Sequence, residues 1–177
     1  MSEDDRDLPE QVHWEGKYIV AKTRGRWEYV SRARGIRAAV IIAIDPEDHV
    51  ILVEQFRVPL GRACIELPAG LIGDETAGED PTEAAARELE EETGYRAGRI
   101  EVLGEFHSSP GMVSESFTLL RAHDLVRVGP GGGTESEAIT VHRVPRHQLS
   151  AFLAERRALG DAMDVKLLLL LGPELIG

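Results

Sequence analysis

A mixed α/β domain, with strands first and helices packed on the sheet, is the fold class this sequence predicts. Three observations carry that expectation. The segments before residue 57 are short, alternate or carry β-forming residues, and are punctuated by Gly and Asp-Pro turns, which is a strand pattern. One stretch, 80–94, carries the start, body and stop signals of a helix. Strand-type segments then resume, and the chain closes on two stretches that read as helices. A length of 177 residues and a hydrophobic content of 42% suit one cored domain, or one domain with a small appendage.

Taken in order, residues 1–12 read as a loose polar tail. Segments 17–22, 27–32 and 38–44 follow as strands, with Gly25 in the first turn and Gly35 in the second. The third is continuously apolar, as a strand buried on both faces should be. Asp45-Pro46-Glu47-Asp48 is a turn, and 49–56 reads as the strand paired with 38–44 across it. Residues 61–71 are irregular, with a short strand near 64–67. In the helix, Asp80 is an N-cap, Pro81 suits the first helical position and Glu83 falls three residues after the cap. Strong helix formers fill 82–93, three consecutive alanines among them, and Gly94 stops the helix. Segments 100–106 and 116–122 read as strands around a loop at 107–115. A Gly-Pro-Gly-Gly-Gly-Thr loop at 129–134 precedes a strand at 138–144, and 146–158 and 161–171 read as closing helices. No repeat of fixed period is present. The part before Arg37 reads as an appendage with its own hairpin, which divides the chain into 1–36 and 37–177.

Composition excludes several function classes. The net charge of −11 repels nucleic-acid backbones and anionic membranes, so neither is expected as a principal partner. The single cysteine, Cys64, precludes an intramolecular disulfide and fits a reducing, cytoplasmic setting. Its apolar neighbours, Ala63 and Ile65, suit a buried structural thiol rather than a nucleophile. The acidic, polar N-terminus is unlike a signal peptide. The longest apolar run, 167–171, is far below the ~20 residues that span a bilayer and reads as the end of a buried helix.

Chemistry concentrates in the 80–94 helix. Glu88, Glu91 and Glu92 stand at i, i+3 and i+4 and should share a face, beside an apolar face of Ala85, Ala86 and Leu89. Arg87 is the base close by, placed to pair with Glu83 or Glu91. An acidic helix face alone usually means solvated surface. The alternative is a site for a hard divalent cation, because Mg²⁺ takes oxygen ligands and keeps several waters. A zinc site would want thiols or histidines, and the cluster has neither.

Residues 73–95, GDETAGEDPTEAAARELEEETGY, resemble the Nudix box. Gly73, Glu79, Arg87, Glu88, Leu89, Glu91, Glu92, Gly94 and Tyr95 fill its constrained positions in order, Tyr95 being aromatic where an aliphatic residue is commoner. The resemblance implies an α/β/α sandwich that hydrolyses a nucleoside diphosphate linked to another group. It implies Mg²⁺, with Mn²⁺ as an alternative, held by Glu88 and Glu92. Glu91 would be a supporting ligand or hold water, Arg87 would orient the glutamates, and Glu79 would brace them without touching the metal.

Features outside the box narrow the resemblance to the ADP-ribose pyrophosphatase subgroup. Glu66-Leu67-Pro68-Ala69-Gly70 is similar to a run in which the carbonyl before the final glycine binds metal, here that of Ala69. Gly70 and Gly73 compete for the first position of the box. Pro110, 16 residues after Gly94 and followed by Glu115, resembles the subgroup's marker and implies substrate contacts for both. Glu54-Gln55-Phe56-Arg57 is similar to a strand end whose arginine reaches the substrate phosphates. Glu135-Ser136-Glu137, after the glycine loop, resembles a mobile loop that supplies a catalytic base, carried onto Glu135, and a further metal ligand, Glu137. The glycine loop lacks the Gly-Lys-Ser/Thr ending of a P-loop, and its glycines are expected to let it close over substrate.

Subgroup members exchange N-terminal strands in a homodimer, which makes Trp14, Tyr18 and Trp27 candidates to stack on adenine, or else to pack an interface or the core. His107 and His142 read as structural. The expected reaction converts ADP-ribose to AMP and ribose 5-phosphate. Hydrolysis of a related nucleotide sugar such as GDP-mannose is the alternative. A non-catalytic ADP-ribose sensor is disfavoured, because every box glutamate is kept.

Overall fold

The structure, a computed structural model, describes residues 4–73, 80–134 and 137–171. It opens with one helical turn, α1 (Asp4–Asp7), and a three-stranded antiparallel sheet of β1 (Gln11–Glu15), β2 (Ile19–Arg24) and β3 (Trp27–Arg32). The expected loose tail therefore contains a strand. All five residues of β1 are exposed, so no burial pattern marks it in sequence, and it exists through its ladder to β2.

The main body is an α/β/α sandwich. One sheet runs in the order β7 (Ala69–Ile72), β4 (Arg37–Ala43), β10 (Ser116–His123), β9 (Arg99–His107). The other runs β12 (Thr140–Pro145), β5 (His49–Arg57), β6 (Arg62–Glu66), β13 (Ala162–Met163). Both are mixed, with β4 and β10 parallel in the first and β6 and β13 parallel in the second. The helix α2 (Pro81–Thr93) lies on the first sheet, and α3 (Leu149–Ala158) packs beside β12 and β13. A two-stranded ribbon of β8 (Tyr95–Arg96) and β11 (Val126–Arg127) adjoins the end of α2.

Burial follows strand alternation. Ala39, Ile41 and Ala43 of β4 join Ala84, Ala85 and Leu89 of α2 in one core. Val40 and Ile42 face the other way, with Leu52, Ile65 and Leu119 between the sheets. The continuous apolar run of β4 is thus buried on both faces, as its sequence predicts. Burying the side chains of Ile41, Ile42, Ile51 and Leu52 stabilises the fold by about 1.5–3 kcal/mol each before entropy is counted.

The tertiary structure corrects four local expectations. Although the Asp45 turn forms, β4 and β5 are not ladder partners, because a single bridge between Ile44 and Val50 joins them and each enters a different sheet. The 61–71 segment holds the expected short strand, as β6, but its remainder is not irregular and contributes a second strand, β7. The second closing helix is instead β13 followed by a 3₁₀ helix, Val165–Leu171, in which Leu167 is buried while Leu168 and Leu171 are exposed. Finally, α2 buries Ala84 and Ala85 and exposes Ala86. Its ends match expectation: Asp80 accepts from the Thr82 N–H at 2.8 Å, and Gly94 adopts φ 73°.

Candidate active site

Successive helical residues differ by about 100° around the axis, so Glu91 and Glu92 fall on opposite flanks of Glu88. The structure separates them accordingly, against the expectation of one shared face. Glu92 turns inward beside Leu89 and is 6% exposed, whereas the Glu91 side chain is 46% exposed. Glu88 and Glu92 line a cavity of about 390 Å³, and Glu91 does not. Arg87 pairs with Glu88 at 2.9 Å and with Glu91 at 3.5 Å, bridging the inward and outward carboxylates.

The strand β7 forms the floor beside these glutamates. The Ala69 N–H donates to Glu92 Oε2 at 3.0 Å. A Cβ at residue 70 would lie 2.0 Å from Glu88 Cγ, so only glycine lets backbone approach that side chain. Gly73 adopts φ 81° at the end of the described loop segment. The two glycines therefore differ in what they do: Gly70 makes the close approach to Glu88, and Gly73 holds a left-handed backbone conformation.

Burial pushes the Glu88 carboxyl up to about 7; Arg87 opposes the shift, and Glu91 and Glu137 reinforce it. Burial likewise pushes Glu92 up to about 8, against the Ala69 hydrogen bond and with help from Glu88 and Glu137. Among the described residues, no three or more His, Cys, Asp or Glu side chains stand close enough together to hold a metal ion by themselves. Glu88, Glu92 and Glu137 instead line one open cavity whose donors are oxygens. An open, all-oxygen site of crowded carboxylates fits a hard divalent cation that keeps waters and shares substrate oxygens.

Cationic groups line the same cavity: Arg32 at the end of β3, Arg57 at the end of β5, and Lys166 on the closing 3₁₀ helix. Each is held by a carboxylate. Arg57 binds Glu66 through Nε at 2.6 Å and a second nitrogen at 2.8 Å, Arg32 Nε binds Glu115 at 2.7 Å, and Lys166 pairs with Asp164. The result places acidic and basic groups around one space, an arrangement suited to a polyanionic substrate with a bound cation.

Of the predicted site residues, Arg57, Ala69, Glu88, Glu92, Glu115 and Glu137 line this cavity. Trp27 and Pro110 line a second depression with Tyr29 and Arg24, and Trp14 and Tyr18 are exposed and line neither. Glu79 and Glu135 lie outside the described residues. His107 stands on exposed β9 backbone opposite Ser116, and His142 bonds Glu54 at 2.7 Å against the Phe152 ring. Burial pushes the Cys64 thiol up to about 12, which agrees with an inert core cysteine. Sequence reasoning missed Arg32, Gln55, Glu66, Ser108 and Lys166 as cavity residues. Glu66 opens the run that ends in Gly70 and could have been found there; Arg32 and Lys166 carry no local signal.

The fold is an α/β/α sandwich whose cavity gathers carboxylates and cationic side chains in one place. The NUDIX domain family model matches residues 34–162, and the chain belongs to that family. It is 36% identical over 121 residues to a methanol dehydrogenase activator of Bacillus methanolicus, covering 68% of this chain and 64% of that one. An ADP-ribose pyrophosphatase of Bacillus subtilis is 41% identical over 88 residues, 50% of this chain and 46% of its own. A GDP-mannose pyrophosphatase of Cronobacter sakazakii is 36% identical over 147 residues, 78% and 72% of the two chains. Among solved structures, an ADP compounds hydrolase superposes with a TM-score of 0.72 at 25% identity, covering 95% of this chain and 92% of that one. The matches to the first two relatives span 64% and 46% of their lengths.

Proposed function

We propose that this protein hydrolyses the diphosphate of ADP-ribose to AMP and ribose 5-phosphate with Mg²⁺. The observation that carries the reading is the convergence of Glu88, Glu92 and Glu137 with Arg32, Arg57 and Lys166 on one cavity. Similarity to an ADP-ribose pyrophosphatase and to an ADP compounds hydrolase supports the substrate class.

Glu88, Glu92, Glu137 and the Ala69 carbonyl would hold the cation, with Glu91 supporting them from outside the cavity. A bound Mg²⁺ neutralises the diphosphate and lowers the pKa of coordinated water. Arg87 holds Glu88 in place through their 2.9 Å pair. Arg57, presented rigidly by its two bonds to Glu66, binds phosphate oxygens, and Arg32 and Lys166 add positive charge at the same cavity. Glu135 takes the proton from the attacking water, a role carried by resemblance alone. Trp27 and Pro110, which line one depression, offer apolar faces to the adenine, and the exposed Trp14 and Tyr18 are further candidates to stack on it or to pack a homodimer interface. Residues 1–36 are the dimer-forming appendage and 37–177 the hydrolase body.

A specific observation favours one second reading. The GDP-mannose pyrophosphatase similarity covers more of this chain than that to the ADP-ribose pyrophosphatase. A Mg²⁺-dependent screen of ADP-ribose, GDP-mannose, UDP-glucose, NADH and diadenosine polyphosphates, with products identified, separates the readings. AMP and ribose 5-phosphate released preferentially from ADP-ribose is the expected result. Preference for GDP-mannose transfers the assignment to the second reading, and binding of ADP-ribose without cleavage replaces both with a sensor. Light scattering checks the dimer: a molar mass near twice 19.4 kDa is expected.

A further inference from the structure

We infer that the glycine loop 129–134 is a positioning clamp that sets where Glu137 stands relative to Glu92. The inference rests on the proposed cation site but assigns a role to residues outside it.

A helix end leaves its last carbonyls without intrahelical donors. At the end of α2 the loop supplies them. Gly132 N–H donates to the Glu92 carbonyl at 2.8 Å, and Gly133 N–H to the Glu91 carbonyl at 3.0 Å. Val128 and Gly129 N–H both donate to the Gly94 carbonyl, at 2.8 and 3.1 Å. The backbones touch: a Cβ on Gly131 would lie 2.4 Å from the Thr93 carbonyl carbon, and one on Gly94 would lie 2.3 Å from the Gly129 carbonyl oxygen. Gly131, Gly132 and Gly133 also adopt φ of 69°, 113° and 71°, a run of left-handed conformations that side-chain-bearing residues resist. The glycines thus serve docking, which is a different task from the loop closure their composition suggests.

The clamp ends at the site. Thr134 donates to Glu137 Oε2 from its N–H at 2.7 Å and from its hydroxyl at 3.0 Å, and Gln55 bonds the Glu137 carbonyl at 3.3 Å. The Ile139 N–H closes back on the Gly132 carbonyl at 3.1 Å. One backbone path therefore runs from the peptide carrying Glu92 to the carboxylate of Glu137. Placement errors near 1 Å in such a constellation cost about 10²-fold in rate.

The test compares Gly131→Ala with Gly160→Ala, which puts the same kind of strain (φ 99°) into open space. Mn²⁺ affinity by electron paramagnetic resonance, kcat and KM are read in parallel. Expected for Gly131→Ala are Mn²⁺ binding weakened about tenfold and kcat lowered about 10- to 100-fold with KM within about twofold, while Gly160→Ala matches the unaltered protein. Equal behaviour of the two variants overturns the clamp. If Gly131→Ala does not fold, Thr134→Val decides: weakened Mn²⁺ binding rescued by Thr134→Ser supports the clamp, and unchanged binding overturns it. An unaltered protein that binds Mn²⁺ but cleaves nothing refutes the hydrolase reading while the Mn²⁺ comparison still judges the clamp; one that binds no Mn²⁺ overturns both.

Discussion

Glu92 illustrates how a single side chain acquires chemistry from its surroundings. Its helical position turns it toward the sheet, its burial disfavours charge, and the Ala69 N–H holds one oxygen. Glu92→Gln keeps an oxygen to accept that hydrogen bond but loses the charge a cation needs. Turnover is expected to fall on the order of 10²–10³-fold, with the unfolding midpoint unchanged within a few degrees; near-normal kcat would remove Glu92 from the cation site. Lys166 is proposed to act on the substrate side. It belongs to an element with no other cavity-lining residue, so Lys166→Ala should raise KM about tenfold and leave kcat nearly unchanged. A fall in kcat with constant KM would instead tie Lys166 to the transition state.

At the scale of elements, the turn between β4 and β5 offers a pH-dependent reading of stability. Asp45 is buried at that turn, where burial is the largest influence and raises its pKa. The His49 N–H, the Arg143 guanidinium at 2.6 Å and the Glu47 N–H together outweigh burial and hold the carboxyl below its usual range. A depressed folded-state pKa means stability that is present above the unfolded value, near 3.8, and lost as pH falls through the folded one. Asp45→Asn should therefore cost about 1.5–3 kcal/mol in urea unfolding at pH 7, with the gap narrowing below pH ~4. A pH-independent difference would show that the carboxylate's charge is not what the turn uses. The same turn explains a failed expectation. Asp45-Pro46-Glu47-Asp48 has hairpin chemistry, and the turn forms, but it passes the chain between sheets rather than within one.

Across the whole molecule, the N-terminal sheet is zipped to the loop that carries Pro110 and Glu115. The Val30 N–H donates to the Met112 carbonyl at 3.0 Å, the Ser114 N–H donates to the Val30 carbonyl at 2.9 Å, and Ser31 and Ser114 hydroxyls bond at 2.7 Å. Arg32 then reaches Glu115 within the candidate cavity. The appendage is thereby part of the site's wall, and its removal would alter the cavity as well as any dimer. A double-mutant cycle of Arg32→Ala and Glu115→Ala, followed by urea unfolding, should give a coupling near 1 kcal/mol for this half-buried pair. Additive effects would show that the zipper is held by the Val30 backbone bonds and the Ser31–Ser114 hydrogen bond without help from the ion pair.

Periodicity and end signals are local, and what depends on them was legible: the α2 helix from Asp80 to Gly94 and the doubly buried β4 run. Periodicity placed Glu88, Glu91 and Glu92 on one face, and packing against the sheet decided that Glu88 and Glu92 turn to the cavity while Glu91 does not. Register between distant strands is not local. The separation of β4 from β5, the exposed β1 strand and the 3₁₀ form of Val165–Leu171 were decided by which ladders and surfaces the assembled sheets offered. The same holds for the cavity. Arg32 and Lys166 come from separate sequence regions with no spacing rule between them, and only the assembled tertiary structure brings their charges to the carboxylates.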